Sequence, residues 1–217
     1  MSTETPATQS ASAATAPPNG RKVRVFTKVA LVLVSVIAVL LGVVAVQPTD
    51  FRVARSQSMA ASPAAVFAQV NDFHKWEAWS RWLKIDPNAK GTYAGPTEGA
   101  GAIFRWAGNS EVGEGSMTIT ESSPYDRIRI RLDFLKPFED TADVEFTFEP
   151  RGDETFVTWS MSGQNNFLGK FICLFMNMDD MIGSKYEEGL ASIKAIVEQS
   201  PDSENAPADA AQAATGN

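Results

Sequence analysis

The apolar residues of this chain follow two different patterns along its length. Residues 29–46 are almost all apolar and carry no charge. Together with Val25 and Phe26, they approach the roughly 20 residues that cross the core of a bilayer as a helix. After residue 50, apolar residues recur at intervals of two, or of three and four, as in elements packed on a core. The pattern therefore predicts one membrane segment followed by one folded unit.

Alternation of apolar and polar residues predicts a series of strands in the folded unit. It is clearest in RIRIRLDF, residues 127–134, where every second residue is apolar. Short turns separate the segments, and sequential strands joined by short turns favour an antiparallel sheet. The predicted strands are residues 51–59, 90–94, 102–107, 112–121, 127–134, 143–149 and 155–161.

Helical spacing appears on both sides of these strands. Ser62 is a good N-cap and Pro63 suits the first position of a short helix. Between residues 171 and 197, apolar residues recur mostly at three and four, which predicts one long amphipathic helix. The fold class is therefore α+β, with a curved antiparallel sheet wrapped on a long C-terminal helix.

The segment NDFHKWEAWSRW, residues 71–82, contains three of the five tryptophans and the only histidine. In a helix, Trp76, Trp79 and Trp82 share one broad stripe because they are spaced by three. We expect these rings to seal one end of the sheet–helix sandwich, and they are also candidates for contact with a ligand.

The two ends of the chain have a different composition. Residues 1–20 and 201–217 are rich in Ala, Ser, Thr and Pro, so we expect both to be disordered. The remaining boundaries are 21–50 for the basic flank and membrane helix, and 51–200 for the folded domain. Lys and Arg before residue 29 favour a cytoplasmic N-terminus and place the domain across the membrane. The alternative is a cleaved signal peptide, whose apolar region is usually shorter.

Charge and residue inventory exclude several functions. The first 50 residues hold four of the 19 Lys and Arg but only two of the 26 Asp and Glu, so the folded domain is acidic and ill-suited to nucleic acid. A single histidine, His74, and a single cysteine, Cys173, cannot build a usual zinc site, and we expect no metal or cofactor. Glu114, which lies between two glycines, and Arg105 could turn inward, but their ordinary position on a strand faces water.

Several motifs carry a family resemblance. They are SPAAVFA from residue 62, DFxKWxxWSxW from residue 72, GAxFxWxGN from residue 101, GxGxMxI from residue 113, TxVTWxMxG from residue 155 and MIGxxYExGLxxIK from residue 181. Their order resembles the helix-grip fold of the SRPBCC or START and Bet v 1-like superfamily, which includes polyketide cyclases, dehydrases and lipid carriers. The resemblance is to membrane-anchored or exported members of uncharacterised role, and it implies a bacterial inner membrane and a hydrophobic cavity between sheet and long helix.

Alternation predicts which residues face that space. The same residues would fill a packed core, so the pattern alone leaves a cavity and a core as alternatives. The predicted ligand-binding residues are Trp79, Trp82, Phe104, Trp106, Met117, Ile119, Ile130, Phe146, Trp159, Met178, Ile182 and Tyr186, with Phe175 as a further candidate.

The resulting functional hypothesis is a single-pass, membrane-anchored domain that binds or carries a hydrophobic small molecule or lipid. One alternative is a cyclase or dehydratase-like enzyme, which needs an inward carboxylate or tyrosine with a perturbed pKa; Glu114 and Tyr186 are the candidates. Another is a membrane-tethered interaction module with a filled core and an exposed apolar patch.

Overall fold

The computed structural model describes residues 20–175 and 177–199. The predicted disordered ends lie outside these residues, apart from Gly20. Two compact units, Met1–Val46 and Gln47–Asn217, are described separately. In the first, helix α1 spans Gly20–Val46, and its part Val25–Val46 is long and apolar enough to cross a membrane. A signal sequence near an N-terminus can pass the same test of length and composition, so this helix is consistent with either function.

The second unit contains one seven-stranded sheet in which every neighbouring pair is antiparallel. Its order is β1-β7-β6-β5-β4-β3-β2, so the first and last strands are neighbours. Each predicted strand is present, and most extend further because backbone pairing continues past the alternating residues. The strands are β1 Asp50–Met59, β2 Lys90–Ala94, β3 Ile103–Ala107, β4 Glu114–Ser123, β5 Arg127–Lys136, β6 Asp140–Arg151 and β7 Glu154–Gln164.

The first helix of this unit, α2, spans Pro63–Val70, and the predicted cap is confirmed because the Ser62 side chain accepts a hydrogen bond from the Ala65 N–H. The prediction of one long C-terminal helix is wrong in one respect. The structure has α4 at Phe167–Phe175 and α5 at Met178–Glu198. Asn177 separates them with an extended backbone, and its side chain caps α5 by accepting from the Asp180 N–H.

The tryptophan-rich segment is also interrupted. A 3₁₀ turn at Phe73–Lys75 leads into the short helix α3, Trp76–Trp79, and a second 3₁₀ turn follows at Trp82–Lys84. Ser80 is extended, with ψ of 122°, and ends the helix. Trp76 and Trp79 are buried, whereas Trp82 is 37% exposed. The prediction that all three tryptophans share one stripe is therefore wrong for Trp82. The extended backbone at Ser80 directs the Trp82 side chain away from those of Trp76 and Trp79.

The core lies between the sheet and α5. Alternate residues of the strands supply its sheet side, and the face of α5 from Ile182 to Val197 supplies the other. The arginines between the buried residues of β5 point outward and form ion pairs, including Arg129 with Glu145 at 2.9 Å, as the alternation predicted. The sandwich thus brings the predicted ligand-binding residues of several strands towards one helix.

Candidate functional site

The centre of the sandwich is a stack of three aromatic rings. Trp159 on β7 stacks on Tyr186 of α5, with 3.8 Å between ring centroids and 11° between planes. Its other neighbour is Phe146 on β6, at 4.8 Å and 25°. Trp79 closes the stack edge-on, 5.6 Å from Trp159. All four side chains are buried, so rings occupy this part of the space between sheet and helix.

Gly189 determines how closely α5 approaches this stack. A Cβ atom at this position would lie 2.8 Å from Cζ3 of Trp159, closer than carbon atoms pack in proteins. A helix interior normally disfavours glycine by about 1 kcal/mol relative to alanine. The glycine is therefore explained by the close approach of the indole ring to the helix.

One polar atom in the stack has no hydrogen-bond partner among the residues that the structure describes. Trp76 and Trp79 donate their indole N–H groups to the carbonyls of Val70 and Gln69, at 2.9 and 3.1 Å. Nε1 of Trp159 is buried without a hydrogen bond among the described residues. Because the Tyr186 ring is stacked on the face of the indole, its oxygen does not meet the geometry of a hydrogen bond from this N–H. Leaving such a donor unsatisfied costs about 1–3 kcal/mol.

Tyr186 is the titratable group of this interior. Burial raises the pKa of its phenol well above the usual value, because the ionised form would lose its hydration. The phenol therefore stays neutral in the physiological range and can act only as a neutral hydrogen-bonding group.

The predicted ligand-binding residues do not all share one environment. Trp106, Met117 and Met178 are half-buried, Trp82 is exposed, and the side chain of Phe175 lies outside the described part of the structure. The others are buried in the core: Trp79, Phe104, Ile119, Ile130, Phe146, Trp159, Ile182 and Tyr186. The structure brings these buried residues together and leaves out Trp82.

A groove of about 470 Å³ lies at the end of the sandwich where β1 begins. It is open to solvent and is lined by the segment before and at the start of β1, by the residue after β7, by the helix α4 and by the start of α5. Its apolar lining includes Phe51, Leu174 and Met178, and its polar lining includes Asn165, Lys170 and Asn177. The remaining lining residues are Gln47, Pro48, Asp50, Cys173 and Asp179. Ligand pockets of proteins commonly measure about 300–1,000 Å³.

An ion-pair clamp fixes one side of the groove. Arg55 on β1 donates to Asp179 and Glu187 of α5, at 2.9 and 2.7 Å. The hydrogen bonds from Arg55 hold the pKa of Asp179 below its usual value. Gly183 leaves room for this guanidinium, because a Cβ atom there would overlap it. The start of α5 is thereby tied to the first strand beside the groove.

Sequence reasoning missed this groove because it treated 171–197 as one helix. The available signal was Asn177, a strong N-cap residue, directly after the apolar run FICLFM. Cys173 is half-buried in the groove lining.

A smaller pocket, of about 180 Å³, lies beside His74 and Tyr93. The two rings stack at 4.0 Å, and Nδ1 of His74 lies 2.8 Å from an oxygen of Asp72. The Asp72 side chain also accepts from the His74 backbone N–H, so this pair caps a turn. The side chain of His74 is 48% exposed.

The other candidate groups are accounted for on the outer face. Glu114 lies 2.8 Å from Lys136, and Arg105 is exposed. Among the described residues, no group of three or more His, Cys, Asp or Glu is arranged to hold a metal ion. Neither Glu114 nor Arg105 therefore turns into the interior of the sandwich.

Comparisons with known proteins concern the second unit. The sequence profile of a family described as "Polyketide cyclase / dehydrase and lipid transport" matches residues 50–198. A search of curated proteins found no match.

Solved structures show the same fold at low identity. Protein MLL2253 from Mesorhizobium loti is 12% identical with a TM-score of 0.50, and the match covers 69% of this chain and 98% of that one. The di-domain ARO/CYC protein StfQ of the steffimycin biosynthetic pathway is 11% identical, also with a TM-score of 0.50, over 69% of this chain and 51% of that one. Such identities support the helix-grip fold alone.

Proposed function

The chain belongs to the polyketide cyclase / dehydrase and lipid transport family, and on that premise we propose that its second unit binds a hydrophobic small molecule or lipid at a membrane surface. Membership of this family supports a fold that binds hydrophobic ligands. The finer assignment, to a lipid-like ligand beside a membrane anchor, is our proposal. The groove at the start of β1 is the observation that carries it.

The lining of the groove suits a molecule with one polar and one apolar end. Lys170 and Asn165 offer hydrogen-bond donors, whereas Leu174 and Met178 offer an adaptable apolar surface; the side chain of Asn177 is already bonded to Asp180. A headgroup would contact the first set and an acyl or ring system the second.

The face of α5 connects the groove to the aromatic stack. Met178, Ile182 and Tyr186 are spaced by four residues, so they follow one another along the same face of the helix. The distance from the first to the last is about 12 Å at the usual rise per residue. An apolar tail would follow this face by displacing the side chains that now fill it. The N–H of Trp159, which has no hydrogen bond within the described part of the chain, would then be available to a polar atom of the ligand.

Native mass spectrometry on the second unit tests this function, since that unit is compact by itself. Residues 47–217 would be exported with a cleavable signal, purified without detergent and analysed for released lipid. We expect one discrete co-purifying species. Leu174→Glu should abolish its retention, whereas the control Ala191→Glu, on the exposed side of α5, should retain it. A mass without ligand, and no uptake from a membrane extract, would refute the proposal.

The enzymatic alternative keeps one candidate group. Glu114 is paired with Lys136 outside the sandwich, which leaves Tyr186 as a neutral hydrogen-bond donor in the interior. If the released ligand is chemically changed on incubation with the protein, and Tyr186→Phe stops the change without reducing binding, the alternative replaces the carrier function.

A further inference from the structure

Large apolar side chains are exposed around the end of the unit at which β1 begins. Leu135 at the end of β5 and Phe138 in the β5–β6 connection are 54% and 59% exposed. Phe167 at the start of α4 is 53% exposed, and Met181 in the first turn of α5 is 41% exposed. We call these four residues the apolar rim.

The strand register places the rim at one end of the sheet. Asp50 pairs with Gln164, and Gly163 pairs with Ala142 of β6, two residues from the start of that strand. The β5–β6 connection therefore lies at the same end as the start of β1 and the end of β7. Phe167 follows β7 after two residues, and the groove lies at this end as well.

Chain connectivity indicates what covers the rim. The apolar segment Val25–Val46 ends immediately before this unit, and only residues 47–49 separate it from β1. Four peptide steps span at most about 14 Å. If that segment crosses a bilayer, residue 50 lies within this distance of the surface at which the segment emerges. The end of the sheet that bears the rim is then the end held next to the lipid.

We propose that the apolar rim inserts into the bilayer surface, so that the groove opens onto the membrane and takes its ligand directly from the lipid. This inference rests on the proposed function for its ligand and on the anchor for its geometry. The formal charges around the rim are mostly acidic: Asp50, Glu139, Asp140 and Asp179 stand against Arg52 and Lys170. Two further cations, Arg55 and Lys136, are paired with Asp179 and Glu114. Docking is therefore driven by burial of apolar side chains and does not require anionic lipid.

The test uses the full chain in phosphatidylcholine vesicles with a single environment-sensitive fluorophore. In a Cys173→Ser background, Phe138→Cys places the label on the rim. Asp153→Cys places it in the β6–β7 turn, at the opposite end of the sheet, as the matched control. We expect blue-shifted emission and quenching by nitroxide-labelled phosphatidylcholine at position 138, and neither effect at position 153.

A second variant tests the apolar driving force. Replacing the exposed residues Leu135 and Phe167 by serine should lower the ratio of docked to undocked protein at least about tenfold, as read from the label on the rim. Adding phosphatidylglycerol should not increase docking. Equal exposure of the two labels to water would overturn the proposal. Burial of the label at position 138 that varies with the protein-to-lipid ratio would also overturn it, because such burial indicates contact between copies of the protein.

Ligand retention distinguishes this proposal from the function on which it rests. A labelled rim exposed to water together with a retained ligand in native mass spectrometry would overturn docking alone. A buried rim together with a protein that never retains a ligand would refute the proposed function and leave docking in place.

Discussion

Replacing Gly189 by alanine tests whether the interior is filled or has room for a ligand. The added methyl group would meet Cζ3 of Trp159 at 2.8 Å. The indole cannot move along its own normal, because Phe146 and Tyr186 lie on its two faces. Overpacking of this kind usually costs about 1–3 kcal/mol. Alanine in place of glycine returns about 1 kcal/mol in a helix interior.

The sign of the change in unfolding free energy is therefore informative. A filled interior predicts a net destabilisation of about 0–2 kcal/mol. An interior with open space lets the indole move aside, and the substitution then stabilises the protein by up to about 1 kcal/mol. Urea unfolding of residues 47–217 measures this, and the slope of the transition should stay unchanged.

Two controls isolate the contact. Ser184→Ala, at an exposed position of the same helix, should be neutral or stabilising by about 0.5 kcal/mol. In a Trp159→Phe background the clashing ring atoms are gone, so the penalty of Gly189→Ala should fall, giving a coupling energy of about 0.5–3 kcal/mol. Stabilisation by Gly189→Ala in both backgrounds would refute the filled-core reasoning.

Three further outcomes follow from the geometry. Arg55 lowers the pKa of Asp179 in the folded state. The ion pair therefore stabilises the fold fully at pH values above the usual pKa of a carboxyl group, and this stabilisation is lost as the pH falls through the lowered pKa of Asp179. The stability difference between the wild type and Arg55→Met should therefore narrow between pH 7 and pH 3 in urea unfolding, and a constant difference would contradict it. Because burial raises the pKa of Tyr186, absorbance titration at 295 nm should show that Tyr186→Phe removes only a component above the ordinary tyrosine range. Ser62→Ala should cost about 1 kcal/mol in thermal or urea unfolding, since it removes the cap of α2; an unchanged midpoint would show that the cap contributes nothing.

The most clearly predictable strands were those whose inner face is apolar at every second residue, such as β5. In β5, Ile128 and Ile130 are buried while Arg129 and Arg131 are exposed, so a period of two appears directly in the sequence. The break between α4 and α5 was not predictable from periodicity, because apolar residues continue across Asn177 at helical spacing. The capping side chain of Asn177 was the only local sign that a new helix begins there.

The candidate site was less predictable than the fold. Inward alternation identifies Phe146 and Trp159 as facing the helix, but it cannot tell whether their rings touch or enclose a space. That depends on the distance between layers, which Gly189 sets by allowing contact with the indole. Glycines within an amphipathic helix were therefore the informative residues. The place of Trp82 depended on one extended residue, Ser80, for which residue spacing gives no signal.

The pairing of the first strand with the last has a consequence for biosynthesis. β1 has one neighbour in the sheet, β7, and Asp50 pairs with Gln164. At about 5–20 residues per second, a ribosome needs roughly 6–23 s to make the chain between them. Throughout that interval a nascent chain exposes the unpaired edge of β1, which other strands can use as a template. A truncated chain that ends before β7 keeps this edge open, so we expect premature termination to yield aggregates or chaperone substrates rather than smaller folded domains.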